Sequence, residues 1–505
     1  MAITDDNAFE LPKLRSSFSF ENDTDFLEND NVAEFFDVKF CPYQPLDAKP
    51  VFAAVSKKHV VICALSQTTN DTNPCEVLSV IRDDDVETSA CCCTWTKDPV
   101  TGVPYLCIGG VDAKVKIYDI MSGKLYRDVN DLATSPVDPS IIASASGDTS
   151  IRVWSLDPIH SKRPCLVILA GEGHSWDLLS LAFHDTGRYI LSAGHDQIIN
   201  MWTLPDLPTE PITTPIRVHY PHFSTSAVHS GIIDCVAFYG DCILSRACHD
   251  NVISLWRIEG FSSKNPPPPQ SIAPTAQTTV PTNYDEASRL TRSAFVPTIS
   301  PQCPSQYTML LQFHTPNCGP QFFMRFKLHF VPGQHPVLAF CNAGGNVFFW
   351  DLERLMAYRD FMEALKDPAR DKSKPLPHPT WMRPVTRRHK ADANKSRHGG
   401  AHNDASAASQ TDGIKATEEI GEYNAETLET WASRYSQEDP HEPLKAHKTE
   451  SSSANFVGRQ AAWSPGGEWC VVVGSSNVAL ILQRWAIKPS AKAPAAPQNP
   501  PAQGH

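Results

Sequence analysis

His174, Ser192 and Asp196 are of the residue types that form a hydrolase triad, in which a histidine accepts the proton of a serine hydroxyl. A triad serine of the α/β-hydrolase kind stands in a GxSxG turn, and no such motif surrounds Ser192. The chain also lacks a phosphate-binding loop and a cluster of metal ligands. We therefore expect a protein that is not an enzyme and that needs no cofactor or metal, and we interpret the three residues as structural.

A run of three cysteines, Cys91-Cys92-Cys93, could suggest a metal site. Neighbouring side chains in a strand point to opposite faces, so these thiols cannot easily share one ion, and no paired CxxC motif accompanies them. The chain has 15 cysteines, an odd number without the spacing of a disulfide framework. We interpret the run as small buried side chains in a reducing compartment.

The stretch QFFMRF, residues 321–326, carries two adjacent aromatic rings, Phe322 and Phe323. In a regular strand only one of them would enter a core. A twisted backbone at the end of a strand could direct both to one place, where aromatic faces attract cations. The alternatives are ordinary strand packing and a binding surface.

A recurrent pattern indicates the elements that must position these residues. An apolar strand is followed by a polar turn with an aspartate and, six residues later, an aromatic residue that ends a second, alternating strand. This is the signature of the WD40 β-propeller, with about 40 residues per repeat. The pairs are Asp112 and Tyr118, Asp148 and Trp154, Asp196 and Trp202, and Asp250 and Trp256.

The fullest repeat predicts a structural hydrogen-bond tetrad of His174, Ser192, Asp196 and Trp202. Seven such units predict an all-β, seven-bladed WD40 propeller, because a closed ring leaves no exposed sheet edge. The units lie near residues 33–67, 88–124, 127–158, 172–206, 229–259, 308–353 and 454–487.

The domain prediction has three parts: an acidic N-terminal tail (1–32), the propeller (33–487) and a disordered Pro/Ala-rich tail (488–505). Two long, largely disordered insertions are expected within the propeller, at 260–306 and 366–453, because they are rich in proline and polar residues. The second and third units are joined unusually closely, through a true shortening or an error in the gene model.

The net charge of −12 excludes a general nucleic-acid-binding surface. The basic cluster in the second insertion is interpreted either as a solvated loop or as a weak DNA contact or nuclear-import segment. The chain shows neither a signal peptide nor an apolar run of about 18 residues, so we expect no membrane association. The cluster comprises Arg387, Arg388, His389, Lys390, Lys395 and Arg397.

Several segments outside the generic repeat resemble the EED / extra sex combs family, the WD40 subunits of Polycomb repressive complex 2. The resemblance follows nearly the whole propeller in order and leaves aside the insertions, so the chain is similar to a fungal-like member. The segments are FFDVKF and VFAAV, CTWT, EGHSWDLLSLAFHDTGRYILSAGHD, VHYPHFSTSAVHSGIIDCVAFYGDCILSRACHDNVISLW, LLQFHTPNCGPQFFMRF (assigned to the sixth blade) and VGRQAAWSP.

The resemblance implies a non-catalytic scaffold and histone-mark reader in the nucleus. Its implied partners are the catalytic SET-domain subunit, the zinc-finger VEFS-type subunit and the histone H3 tail. It also implies that trimethyl-lysine binding stimulates methylation of histone H3 lysine 27 and maintains gene silencing. The alternative is another kind of WD40 adaptor, such as a ubiquitin-ligase substrate receptor, which explains the repeats but not the PHFST and FFMRF segments.

In this family an aromatic cage at one end of the channel holds trimethyl-lysine, which has no N–H to donate. By motif, the resemblance implies that Phe36, Phe322 and Phe323 are cage walls. It also implies that Arg459, in VGRQ, contacts the histone peptide. Cys91 stands where the family has a tyrosine and offers no aromatic face. Either another residue replaces that wall, or the alignment shifts locally, or the mark binds weakly.

Overall fold

The computed structural model describes residues 10–20, 34–66, 73–82, 89–112, 114–119, 131–275, 290–297, 299–301, 304–371, 373–374, 376–385, 423–451 and 456–485. The predicted C-terminal tail, the basic cluster of the second insertion and most of the junction before the third unit lie outside these residues.

Short strands dominate the described chain. Their bounds, in chain order, are β1 (Lys13–Ser19), β2 (Phe35–Phe40), β3 (Val51–Ser56), β4 (His59–Leu65), β5 (Cys75–Arg82), β6 (Ala90–Lys97), β7 (Pro104–Gly110), β8 (Val115–Asp119), β9 (Asp131–Thr134), β10 (Ile141–Ala145), β11 (Ile151–Ser155), β12 (Cys165–Leu169), β13 (Leu178–Phe183), β14 (Tyr189–Gly194), β15 (Ile199–Thr203), β16 (Ile216–Val218), β17 (Phe223–Thr225), β18 (Ile233–Tyr239), β19 (Cys242–Ala247), β20 (Val252–Ile258), β21 (Thr291–Ser293), β22 (Tyr307–His314), β23 (Lys327–His329), β24 (Val337–Cys341), β25 (Asn346–Asp351), β26 (Lys448–Ser451), β27 (Gly458–Trp463), β28 (Trp469–Gly474) and β29 (Val478–Gln483). Two α-helices, α1 (Leu352–Lys366) and α2 (Ala425–Tyr435), follow β25.

Within the described residues these strands form seven sheets, which confirms the predicted seven-bladed propeller. The first blade is β2–β5 and the second is β6–β8. The third is β9–β12 with β16 added in parallel, and the fourth is β13, β14, β15, β17 and β21. The fifth is β18, β19, β20 and β22, the sixth is β23–β26, and the seventh is β27–β29 with β1.

Apolar side chains bury themselves between neighbouring blades rather than in one central core. Seven clusters of buried residues are present in the described part, and each joins two blades that are adjacent in the ring. The cluster of Phe35, Phe52, Trp469 and Val471 joins the first blade to the last. This contact makes the ring continuous.

The predicted N-terminal tail is wrong for residues 13–19. This segment is β1, which pairs antiparallel with β29 and supplies the outer strand of the seventh blade. Leu11, just before it, is buried, and the Arg484 guanidinium donates a hydrogen bond to the carbonyl of Glu10 at 2.9 Å. The sequence did not indicate this strand for two reasons. The N-terminal segment is acidic as a whole, and β1 is an edge strand with mostly exposed side chains.

The predicted unit boundaries also change, because the outer strand of a blade lies beyond the aromatic residue that ends the sequence repeat. β22 was assigned to the sixth unit but pairs with β20 in the fifth blade. β5 lies beyond the first predicted unit and pairs with β4.

Both insertions contain short ordered elements among their described residues, and each of these pairs with or packs on an existing blade. In the first insertion β21 pairs with β17 at the outer edge of the fourth blade. In the second, α2 packs on α1, the helix that precedes the insertion, through Tyr435 on Tyr358 and Trp431 on Phe361, and β26 completes the sixth blade. These rings bury against the core between the fifth and sixth blades, so they are anchored by an existing surface rather than by a core of their own.

Candidate binding site at one mouth of the channel

A channel of about 680 Å³ runs along the first strands of all seven blades. Arg325, just before β23, and Gln460 of β27 form an isolated parallel β-bridge. The chain therefore runs in the same direction at these two places, where the sixth and seventh blades meet. The lining includes Val38, Trp95, Ala133, Leu181, Val236, Lys327 and Ala462, one residue from each first strand.

Five of these first strands contain a register shift at the same place, one residue from the N-terminal end of the strand. Such a β-bulge leaves one residue unpaired and redirects its side chain, and bulges are frequent beside binding sites. Because each bulge lies near the N-terminal end of a first strand, the five bulged residues lie at the same mouth of the channel. The bulged residues are Phe36, Cys91, Leu179, Asp234 and Arg459.

Three of the residues singled out from the sequence therefore occupy equivalent positions, namely Phe36, Cys91 and Arg459. This supports the alignment that sets Cys91 beside the aromatic positions. Cys91 is half-buried and packs against the cluster that contains Cys92, and it offers no ring. The structure places no aromatic side chain at this bulge.

Phe322 and Phe323 lie in an irregular segment that precedes β23, not in a strand. Phe323 has a φ of 58°, a left-handed conformation that is unusual for a bulky residue. The alternation of a strand is thereby broken, and the two rings lie together, with centroids 5.3 Å apart at an angle of 45°. Phe322 is 43% exposed, so the pair forms a surface rather than a core contact.

A buried ion pair holds the segment that follows these rings. The Asp234 carboxylate accepts hydrogen bonds from Arg246 at 2.7 Å and from the backbone N–H of Met324 at 3.1 Å. Arg246 also donates to the Met324 carbonyl at 3.1 Å. Burial alone would lower the pKa of Arg246, but the carboxylate outweighs it and raises that pKa above its ordinary value. The bulged Asp234 thus positions the backbone next to Phe323.

Arg325 supports Phe323 from one side. Its guanidinium lies 5.2 Å from the centre of the Phe323 ring and donates a hydrogen bond to the carbonyl of the bulged Leu179 at 2.7 Å. One face of Phe323 is therefore already in contact with a cation of the protein itself.

Arg459 links the two sides of the mouth. It donates a hydrogen bond to the Phe322 carbonyl at 2.9 Å and pairs with Glu34 at 3.1 Å. Glu34 is two residues before Phe36, so the arginine joins the strand of Phe36 to the Phe322–Phe323 segment. Its charge is balanced by a carboxylate, and its side chain is 13% exposed.

His174, Ser192, Asp196 and Trp202 form one chain of hydrogen bonds in the fourth blade. His174 contacts Asp196 through Nδ1 at 2.9 Å and Ser192 through Nε2 at 2.7 Å. The indole N–H of Trp202 donates to the Ser192 hydroxyl at 2.9 Å. The Ser192 hydroxyl therefore contacts both His174 and Trp202 inside the blade. These contacts agree with the structural interpretation of His174, Ser192 and Asp196.

A second chain of this kind in the fifth blade was missed. His229 contacts Asp250 at 2.6 Å and Ser245 at 2.7 Å, and Trp256 donates to Ser245 at 2.9 Å. The sequence contains a signal for it, because His229 precedes Asp250 by 21 residues and His174 precedes Asp196 by 22 residues.

Cys92 and Cys93 are buried in β6, as expected of small interior side chains. Burial, followed by the nearby Asp37 carboxylate, raises the pKa of Cys93 well above the ordinary thiol value. The described residues contain no group of three or more histidine, cysteine or acidic side chains that could hold a metal. Among the described helices, none has both the length and the apolar character needed to cross a membrane.

Comparison with known proteins agrees with this architecture. The WD domain, G-beta repeat family matches residues 121–155 and 164–203. The chain is 46% identical to the Polycomb protein EED of Chaetomium thermophilum, over 96% of this chain and 98% of that protein. It is 25% identical to the Polycomb protein esc of Drosophila melanogaster over 68% of this chain and 75% of that one.

Solved structures give the same result. A chain of an active Polycomb repressive complex 2 in the basal state superposes with a TM-score of 0.82 at 49% identity, covering 95% of this chain and 98% of that one. A chain of the Chaetomium thermophilum complex bound to H3K27me3 superposes with a TM-score of 0.82, also at 49% identity, over 95% and 99% of the two chains. This chain therefore belongs to the EED / extra sex combs family, the non-catalytic WD40 proteins of Polycomb repressive complex 2.

Proposed function

We propose that this protein is the scaffold and histone-mark reader of a nuclear Polycomb repressive complex 2. It binds the catalytic SET-domain subunit and the VEFS-type zinc-finger subunit, and it recognises trimethyl-lysine on the histone H3 tail. Binding of the mark stimulates methylation of histone H3 lysine 27. The solved complexes of close relatives support this assignment, and one of them contains the trimethylated H3 mark.

The observation that carries the reader function is the cluster at one mouth of the channel. Phe322 and Phe323 are adjacent rings, Arg459 is hydrogen-bonded to the Phe322 carbonyl, and Glu34 links that arginine to the strand of Phe36. A trimethylammonium group is held by aromatic faces and apolar contact, which contribute roughly 0.5–2 kcal/mol per ring. Three phenylalanines with Cys91 at the fourth position make a site that binds more weakly than one with a tyrosine there.

Calorimetric titration of the full-length protein with a trimethylated H3 tail peptide, beside the unmethylated peptide, tests this proposal. We expect binding that requires the methyl groups and that falls by about twofold to thirtyfold in Phe323→Ala, as loss of one ring predicts. Phe330→Ala is the matched control, because Phe330 is 50% exposed and follows the opposite end of a first strand, β23. Equal binding of both peptides by folded protein would reject the reader function.

The scaffold function has a separate test. Purification of the tagged protein from its own cells should recover a SET-domain methyltransferase, and the Phe323→Ala protein should recover it equally well. Recovery of ubiquitin-ligase adaptors in place of the methyltransferase would support the alternative adaptor function.

The basic cluster of the second insertion remains a proposed weak DNA contact. Removal of the cluster and a gel shift at low salt would test it.

A further inference from the structure

Trp176 is an exposed ring for which the tetrad and the aromatic mouth give no function. It lies in the loop before β13 and is 60% exposed. A tryptophan left in water is unusual because its ring carries a large apolar surface. A contiguous exposed apolar patch often marks a binding surface, whereas a single exposed side chain does not.

Trp176 is the outer member of a row of rings that reaches the mouth of the channel. It stacks on His195 with centroids 5.7 Å apart at 29°. His195 meets Phe322 edge to face at 6.3 Å, and Phe322 contacts Phe323 at 5.3 Å. The row therefore connects the fourth blade to the rings that precede the sixth.

The fourth blade holds this row rigidly. The Asp196 carboxylate of the tetrad accepts a hydrogen bond from the N–H of Ser175 at 3.0 Å, and the N–H of His195 donates to the carbonyl of Asp177 at 2.9 Å. A Cβ at Gly194 would lie 2.1 Å from that same carbonyl, so only glycine permits this close approach. Both residues that flank Trp176 are thus anchored, and its ring is positioned before any ligand arrives.

The chemistry around Trp176 favours a cation. Indole is the best aromatic partner for a positive charge, and the planar guanidinium of arginine stacks on it well. His195 covers one face of the indole, and Asp177, the next residue, is an exposed carboxylate beside Gly147. We infer that Trp176 binds an arginine of the same peptide that places its trimethyl-lysine between the phenylalanines, an inference that rests on the proposed reader function.

The distances suit a neighbouring residue of that peptide. Each step along the ring row is close to 6 Å, and an extended chain advances roughly 3.3–3.6 Å per residue. An arginine within about two or three residues of the methyl-lysine would therefore reach the indole. The site would select basic sequences around the mark.

The test is calorimetric titration of the full-length protein with trimethyl-lysine peptides that carry one arginine, either two residues before or two residues after the methyl-lysine. Each peptide has a twin with citrulline in place of the arginine, which keeps the shape and removes the charge. We expect one arginine position to bind about two- to fivefold more tightly than its twin. Trp176→Ala should remove that difference, and Trp176→Phe should keep part of it.

The outcomes separate this inference from the function on which it rests. If the wild type binds arginine and citrulline peptides equally, or if Trp176→Ala keeps the preference, the inference is wrong while methyl-dependent binding still supports the reader function. If no peptide shows methyl-dependent binding, the reader function fails and the inference fails with it.

Discussion

At the scale of single residues, the mouth of the channel is built from positions where the regular backbone is interrupted. Phe36, Cys91 and Arg459 are the unpaired residues of β-bulges, and Phe323 has a left-handed backbone. A left-handed backbone at a residue other than glycine costs about 1–3 kcal/mol and persists where surrounding contacts enforce it. The Asp234–Arg246 pair supplies such contacts next to Phe323.

Cys91→Tyr is expected to strengthen binding of the trimethylated peptide by about fivefold, since an added ring contributes roughly 1 kcal/mol. The added ring should lie beside Phe36, because Cys91 and Phe36 are the bulged residues of neighbouring first strands. Calorimetry with the trimethylated and unmethylated peptides measures the effect.

Cys91→Ser is the matched control, since it changes the side chain at the same bulge without adding a ring. Unchanged or weaker binding by a folded Cys91→Tyr protein would show that the assignment of this position is wrong.

At the scale of the element, a hydrogen-bond chain stabilises the fourth and fifth blades from inside. Burial alone would raise the pKa of Asp196, but hydrogen bonds from His174, Ser175 and Ile198 outweigh it and hold that pKa below the ordinary carboxyl value. Asp250 behaves in the same way in the fifth blade. The ionised form of each carboxylate therefore favours the folded blade.

Asp196→Asn is expected to lower the free energy of unfolding by about 1.5–3 kcal/mol at neutral pH, because hydrogen bonds to a charged group are lost. Since the pKa of Asp196 is lower in the folded chain than in the unfolded one, its contribution is complete above about pH 4 and is lost as the pH falls through the folded value. The gap between wild type and variant should therefore close in acid.

Thermal unfolding of both proteins from pH 7 to pH 3 measures this gap. Asp185→Asn is the control, because Asp185 is an exposed carboxylate of the same blade. A difference that stays constant down to pH 3 would contradict the role of the ionised carboxylate.

At the scale of the whole molecule, the ring is closed by strands from opposite ends of the chain. β1 pairs with β29 over six residue pairs, and the buried cluster of Phe35 and Trp469 joins the first and last blades. Stability should therefore depend on the N-terminal segment more than its composition suggests.

Deletion of residues 1–20 is expected to lower the free energy of unfolding by at least about 2 kcal/mol and the melting temperature by about 2 °C or more. The deletion removes β1, the buried Leu11 and the carbonyl that Arg484 contacts. Deletion of residues 1–9 is the control, since it leaves all of these in place. Equal melting temperatures for the two shortened proteins would show that β1 does not close the ring.

The sequence by itself determined the blade architecture, because each repeat carries its own signals within about 40 residues: alternating strands, a polar turn and a terminal aromatic residue. The tetrad of His174, Ser192, Asp196 and Trp202 was predictable for the same reason. The motif match also singled out Phe36, Phe322, Phe323 and Arg459 as candidates for one site. These predictions depend on local patterns that every repeat restates.

Only the tertiary structure decided how distant segments combine. The bulges at Phe36, Cys91 and Arg459 exist only as mismatches between paired strands, and the left-handed Phe323 depends on a buried ion pair from another blade. The pairing of β1 with β29 joins residues that lie more than 450 positions apart, and α2 of the second insertion buries its rings against blades formed elsewhere in the chain. Long-range pairing and burial leave no periodic trace in the segments that take part, so composition alone identified those segments as tails and disordered insertions.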